Sequence, residues 1–176
     1  MKLDRKSLLL YAVTDRSRLG EKTLEDAVEE AISGGATMVQ LREKDLNQEE
    51  FENEAERLKK VTQKYNIPLI INDNIDVALN TDADGIHIGQ NDIPVTEARK
   101  RLGKNKILGV SAQTVEQAIQ AQKDGADYLG VGAVFTTISK ADAAEVSLKT
   151  LKEICKAVSI PVVAIGGINE KNILEL

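Results

Sequence analysis

The sequence of 176 residues has no tryptophan, and aromatic side chains make up only 3% of it. Single-stranded nucleic acid is gripped largely by stacking bases on aromatic rings, so that class of partner is not expected. Positive charge in excess is also missing. The formal net charge is −5, and no basic face offsets it, which argues against a phosphate-backbone binder. One cysteine, Cys155, excludes an internal disulfide and points to a reducing compartment, the cytoplasm. It falls in a helix-like run, Leu148 to Val158, where a small buried residue is expected rather than a nucleophile. No apolar run approaches the length of a membrane span. The opening Met1-Lys2-Leu3-Asp4-Arg5-Lys6 lacks the apolar core of a signal peptide. No membrane partner is expected.

What is present is an ordinary globular composition, 42% hydrophobic and 29% charged, at a length that suits one domain, residues 1–176. Short apolar runs alternate with longer amphipathic ones. Strands are expected at Leu8 to Val13, Thr37 to Arg42, Ile67 to Asn72, Ile86 to Ile88, Lys106 to Ser111, Tyr128 to Val131 and Pro161 to Ile165. Helices are expected at Thr23 to Ile32, Gln48 to Tyr65, Ile75 to Asn80, Val95 to Leu102, Val115 to Lys123 and Leu148 to Val158, with another beginning near Asn169. Strands apolar on both faces and separated by helices imply a parallel sheet covered by helices. A weak repeat agrees: Gly34-Gly35-Ala36-Thr37, Asp82-Ala83-Asp84-Gly85 and Asp124-Gly125-Ala126-Asp127 each end a helix and open a strand.

An open doubly wound sheet would carry a glycine-rich phosphate loop after its first strand, and here that position reads Thr14-Asp15-Arg16-Ser17. Gly130-Val131-Gly132 lies inside a strand, where a nucleotide fingerprint does not work. Polar residues gather instead after the C-terminal ends of the strands, where (β/α)8 TIM barrels keep their chemistry. The fold expected is an α/β TIM-type barrel. About seven strands are counted, so it is expected to be C-terminally truncated, with strand eight and the closing helix missing.

Several residues look chemical. Asp73 and Asp92 follow neighbouring strands, and two converging carboxylates suit a Mg²⁺ that keeps water and takes substrate phosphate oxygens. The alternative is that Asn72, Asp73 and Asn74 only cap the next helix. Gln40, Arg42 and Lys44 share one face of a strand. An unpaired charge toward the barrel axis is costly, and an anionic ligand, phosphate above all, would explain Arg42. His87 interrupts Ile86 and Ile88 and reads more readily as a core histidine than as an acid–base group. Ser111, with no base near it in sequence, reads as a hydrogen-bond donor. Thr136-Thr137-Ile138-Ser139-Lys140 suits a phosphate-binding lid or a plain surface loop. Gly166-Gly167 lets backbone N–H groups approach an anion.

Taken in order, Tyr11-Ala12-Val13-Thr14-Asp15, Val39-Gln40-Leu41-Arg42-Glu43-Lys44, Ile71-Asn72-Asp73, Asp84 to Gln90, Gly109-Val110-Ser111, Gly130 to Phe135 and Ala164 to Ile168 resemble the thiamine-phosphate synthase family. The resemblance covers Leu8 to Leu176. It implies a TIM-barrel transferase that joins hydroxymethylpyrimidine diphosphate to thiazole phosphate and releases diphosphate. It further implies that Gln40, Leu41, Arg42, Glu43, Lys44, Asn72, Ser111 and Lys140 hold the pyrimidine diphosphate. Arg42, Lys44, Ser111 and Lys140 are the catalytic candidates among them. On the same basis Asp73 and Asp92 bind Mg²⁺, Thr137, Ile138 and Ser139 contact the thiazole phosphate, Gly167 lies beside the ligands, and His87 lines the pyrimidine pocket. Association into a homo-oligomer stays open.

The chain departs from the family pattern at Thr136 and Ser139 in the lid, where Pro and Thr are common. It departs again at Asn74, where Arg is common, and in strand eight. Two alternatives follow: a thiazole-phosphate tautomerase or ligand-binding regulator of the TenI-like branch, and an inactive fragment.

Overall fold

A computed structural model describes residues 3–137 and 145–176. It is an α/β structure with seven parallel strands, and it divides into two compact units. Among the described residues the first unit comprises 3–87 and 100–107, the second 88–99, 108–137 and 145–176.

In the first unit, β1 (Tyr11–Val13), β2 (Met38–Leu41), β3 (Leu69–Asn72) and β4 (Gly85–Ile88, which runs just past the unit's limit) pair in parallel. The connecting helices are α1 (Leu24–Ser33), α2 (Gln48–Lys64) and α3 (Ile75–Asn80). Each begins on a side chain that takes an orphan helical N–H: Thr23 accepts from Asp26, Asn47 accepts from Glu50 within a capping box, and Asn74 accepts from Val77. Leu24, Val28 and Ile32 of α1, with Phe51, Ala55 and Leu58 of α2, form apolar stripes at helical spacing. Met38, Val39, Leu41, Leu69, Ile70, Ile71 and Ile86 supply the strand side of the core.

The second unit repeats the plan. There β5 (Ile107–Ala112, whose first residue belongs to the first unit), β6 (Tyr128–Val131) and β7 (Val162–Ala164) pair in parallel. Helices α5 (Val115–Lys123) and α6 (Leu148–Ala157) are capped by Thr114 and Ser147. Helix α4 (Val95–Leu102) crosses the division between the units.

The repeat in the sequence has a physical cause. At each helix end a residue with positive φ (Gly35 at 107°, Asp82 at 50°, Gly125 at 101°) turns the chain toward the next strand. The following alanine then returns its N–H to the helix, as Ala36 to Ala31, Ala83 to Ala78 and Ala126 to Ala121. The next residue closes a two-bond clasp on the start of the preceding strand. Its N–H donates to the carbonyl of Leu10, Leu69 or Leu108, at 2.8, 3.0 and 2.8 Å. Its side chain accepts that same residue's N–H: Thr37 from Leu10 at 2.9 Å, Asp84 from Leu69 at 2.9 Å, Asp127 from Leu108 at 2.8 Å. The strand-opening N–H would otherwise be an orphan.

Asp82 stands in a left-handed slot where the equivalent turns have glycine. Lys59 Nζ donates to its carbonyl at 2.8 Å, and Lys106 Nζ donates to its carboxylate and, at 2.6 Å, to the Ala83 carbonyl.

Three expectations need correction. Leu8 is not in the first strand: Arg5–Leu8 forms a 3-10 helix capped by Asp4, and the strand starts at Tyr11. The helix expected from Asn169 is a turn followed by a short 3-10 helix, Ile173–Glu175, because Asn169 spends its side chain on local bonds to Lys171 and Gly167. Cys155 is exposed, because Leu151 and Ile154 are the α6 residues that face the core. Among the described residues no helix is long and apolar enough to cross a membrane.

Two predictions follow from the clasp and its turn. Asp84→Ala leaves the Leu69 N–H without its acceptor and Asp127→Ala does the same to the Leu108 N–H, and each should lower stability in urea by about 1–3 kcal/mol. The Asp82 carboxyl is held below the usual carboxylate range by its hydrogen bond from Lys106, then by the charges of Lys106 and Lys59. Its stabilisation is therefore full above the unfolded pKa and lost as pH falls through the folded one. Asp82→Asn, which tolerates the same φ, should lower the urea midpoint at pH 7 and merge with the parent below about pH 3.

Candidate active site

The expected site residues fall in both units, and each group is described within its own. In the first unit they occupy the ends of β2, β3 and β4 and the segments just after them. Register places Gln40 beside Val13 and Ile70, and Asn72 beside His87, so neighbouring strands bring these polar residues to one edge. Gln40 is 5% exposed and donates from Nε2 to the Tyr11 hydroxyl at 2.9 Å. Leu41 is fully buried among apolar residues. His87 is buried in β4. Asn74, not Asp73, caps α3, so capping does not account for Asp73. Asp73 sits at φ 61°, its N–H donating to the His87 carbonyl at 2.8 Å.

The end of β2 is held from both sides. Thr14, buried after β1, donates its N–H to the Gln40 carbonyl at 2.9 Å and accepts the Arg42 N–H on Oγ1 at 2.9 Å. The ladder is thereby carried one step past the strand. The Glu43 carboxylate accepts Arg16 Nε at 2.7 Å with its side chain 5% exposed. Burial pushes that carboxyl up, and the Arg16 charge opposes the shift. On either side of Glu43, the Arg42 guanidinium and the Lys44 ammonium form no ion pair or side-chain hydrogen bond with any described residue, although the Arg42 charge helps hold the Asp15 carboxyl down. Two available cations at a strand end are equipped for an anionic ligand.

In the second unit, Asp92 lies in the loop after β4, where its Oδ2 accepts the Gly89 N–H at 2.6 Å. Ser111 pairs with Gly130, and its carbonyl accepts Gln90 Nε2 at 2.6 Å. Val134 and Phe135 donate their N–H groups to the Ile165 and Gly166 carbonyls, at 2.9 and 3.1 Å. The segment leading to Thr137 is thus stitched to the end of β7. A Cβ on Gly167, at φ +65°, would lie 2.5 Å from the Thr136 carbonyl oxygen. Ile138, Ser139 and Lys140 lie outside the described residues.

Sequence reasoning missed Arg16, Thr14 and Glu54. Glu54 carried a signal: a charged residue in the α2 stripe with Phe51, Ala55 and Leu58. Arg16 carried none, since its partners are 27 and 38 residues away. A cavity of about 400 Å³ in the first unit is lined by Arg16, Leu46, Glu50, Asn53, Glu54 and Arg57, none of them an expected site residue.

Comparison with known proteins is consistent along the chain. The family model described as thiamine monophosphate synthase matches residues 10–176. The thiamine-phosphate synthase of Clostridium tetani is 59% identical over 167 residues, 95% of this chain and 80% of the relative. That of Ruminiclostridium cellulolyticum is 58% identical over the same shares. The solved thiamine phosphate pyrophosphorylase from Pyrococcus furiosus superposes with a TM-score of 0.87 at 43% identity, covering 96% of this chain and 79% of that one.

Gly167→Ala should destabilise by about 1–3 kcal/mol in urea, since strain and collision act together. Gly20→Ala, also at positive φ but with nothing within 4 Å of the added Cβ, should cost only the conformational strain of about 1 kcal/mol.

Proposed function

The chain belongs to the thiamine monophosphate synthase family of transferases, and from that premise we propose how its own residues carry the reaction. The substrates are hydroxymethylpyrimidine diphosphate and thiazole phosphate. The bond between the pyrimidine methylene and the diphosphate oxygen breaks, and the electron pair leaves with the diphosphate. The thiazole nitrogen then donates its lone pair to the methylene carbon, giving thiamine phosphate. The aminopyrimidine ring is electron-rich and shares the positive charge left on that carbon, so no protein nucleophile is needed.

The observation that carries this reading is the pair of available cations, Arg42 and Lys44, on the locked end of β2. Negative charge builds on the leaving diphosphate, and fixed cations stabilise that charge without reorganising. In the same proposal Gln40, Asn72, Ser111 and Lys140 hold the pyrimidine diphosphate, with Leu41 and Glu43 taking part through the segment's backbone. His87 lines the pyrimidine pocket, Thr137, Ile138 and Ser139 receive the thiazole phosphate, and Gly167 lies beside the ligands.

Mg²⁺ belongs to this proposal, with Asp73 and Asp92 as its protein ligands. The donor chemistry fits: both are hard carboxylates, one not used as a helix cap and the other oriented by the Gly89 N–H. Among the described residues there is no group of three or more acidic, His or Cys side chains suited to a metal. Mg²⁺ that keeps its waters and takes substrate phosphates needs only one or two carboxylates. When bound, the ion supplies further countercharge to the diphosphate.

A TIM barrel formed as one domain belongs to the proposal as well, supported by strand–helix alternation and parallel pairing in both units. So does a cytoplasmic location, supported by the lone cysteine. The synthase names of the relatives do not favour the tautomerase or regulator alternative.

Purified protein with both substrates and Mg²⁺ should form thiamine phosphate. Asp73→Ala and Arg42→Ala should each lower kcat/KM by about 10²–10³. Absence of product, or an Asp73→Ala enzyme with unchanged kcat/KM, would overturn the reading.

A further inference from the structure

Behind the segment that carries Arg42 and Lys44, charges of alternating sign run through the first unit. Arg57 of α2 donates from Nε to Glu25 of α1 at 3.0 Å and pairs through Nη2 with Glu54. Glu54 also accepts Arg16 Nη2 at 2.7 Å, and Arg16 Nε reaches Glu43 at 2.7 Å. The two carboxylates that Arg16 joins are almost wholly buried, Glu43 at 5% and Glu54 at 4% side-chain exposure. The remaining Glu54 oxygen, Oε1, is buried with no hydrogen-bond partner among the described residues. A buried carboxylate held this way is costly to move, because any displacement leaves charge unpaired. Only a planar fork joins two carboxylates from adjacent nitrogens; a lysine ammonium is a single point.

We infer that Arg16 is a positioning residue: by anchoring Glu43 to the buried Glu54 of α2, it commits the flanking Arg42 and Lys44 to the diphosphate. Strand β2 ends at Leu41, and the chain runs on through Arg42 and Glu43 to a bend at Lys44 and Asp45. Fixing Glu43 against α2 through Arg16 therefore fixes the stretch of chain on which Arg42 precedes it and Lys44 follows it. Thr14 holds the Arg42 backbone, and Arg16 holds the Glu43 side chain next to it. The Glu43 side chain then acts through its neighbours, not by contact with the substrate. The inference rests on the diphosphate reading of Gln40 to Lys44.

The test compares Arg16→Lys, Glu43→Gln, their double variant and Arg42→Ala, using KM for each substrate and inhibition by inorganic diphosphate. Arg16→Lys and Glu43→Gln should each raise KM for the pyrimidine diphosphate, and the inhibition constant of inorganic diphosphate, about tenfold. KM for thiazole phosphate should not change. The double variant should be no worse than the worse single, because both break one link. Arg16→Lys inhibited like the parent, while Arg42→Ala loses inhibition, overturns the inference and leaves the diphosphate reading standing. Arg42→Ala inhibited like the parent overturns the reading and the inference together. Equal rises in both KM values, or additive losses in the double variant, assign Arg16 a structural role and also overturn it. If Arg16→Lys does not fold, Glu43→Gln alone decides, since the neutral isostere removes the ion pair while keeping the side chain's shape.

Discussion

A parallel strand enters its sheet with an N–H that no turn of its own can satisfy, and the clasp on that N–H sets the geometry downstream. In both units a side chain at the head of one strand reaches across to the head of the strand before it. Thr37 does this for Leu10, Asp84 for Leu69, and Asp127 for Leu108. Each clasp fixes a register, and register decides which residues meet at the opposite ends. With Asp84 bound to Leu69 at the start of β3, Asn72 and His87 emerge side by side three residues later. A slip of one position would exchange the inward and outward faces of the strand, and the polar residues gathered at its far end would be lost to the site.

This explains why the strand pattern could be read from the chain. The repeat Ala36-Thr37, Ala83-Asp84 and Ala126-Asp127 is the clasp itself, written as a small buried residue followed by an acceptor. The helices were equally plain, because Thr23, Asn47, Thr114 and Ser147 are strong caps ahead of periodic apolar faces. Misreadings arose where apolar character and local hydrogen bonding disagree. Leu8 and Leu9 look like strand, but Asp4 accepts the Lys6 N–H and turns the segment into a 3-10 helix. Asn169 resembles a helix start, but its side chain serves its own turn. Cys155 lies one step beyond Ile154 on α6, and one helical step of about 100° is enough to leave the buried face.

The candidate site divides along the same line. Gln40, Arg42, Asn72 and Asp73 are visible because polar residues at the ends of apolar strands are conspicuous. The supports behind them are not. Arg16 meets Glu43 and Glu54 only through folding, across 27 and 38 residues of chain. No local pattern announces a contact of that range. What the sequence does hold is the unexplained acid, Glu54, on an otherwise apolar stripe. A charge placed there asks for a partner, and that is the form in which a distant cation can be inferred.

Charge distribution gives the arrangement its logic. A protein with net charge −5 that must bind a polyanion cannot rely on its overall field; it needs cations that are locally uncommitted. In the first unit Arg16 and Arg57 are each shared between two carboxylates, and Lys59, Lys64, Arg101 and Lys106 all have acidic partners. Such cations have little attraction left for a ligand. Arg42 and Lys44 form no ion pair among the described residues, although the Arg42 charge helps lower the Asp15 carboxyl, and the acid between them in sequence, Glu43, is occupied by Arg16. Were Glu43 unengaged, it would be a nearby counter-ion for either neighbour, and the strand end would neutralise itself. Sequestering that carboxylate and holding the segment in place are therefore one and the same interaction.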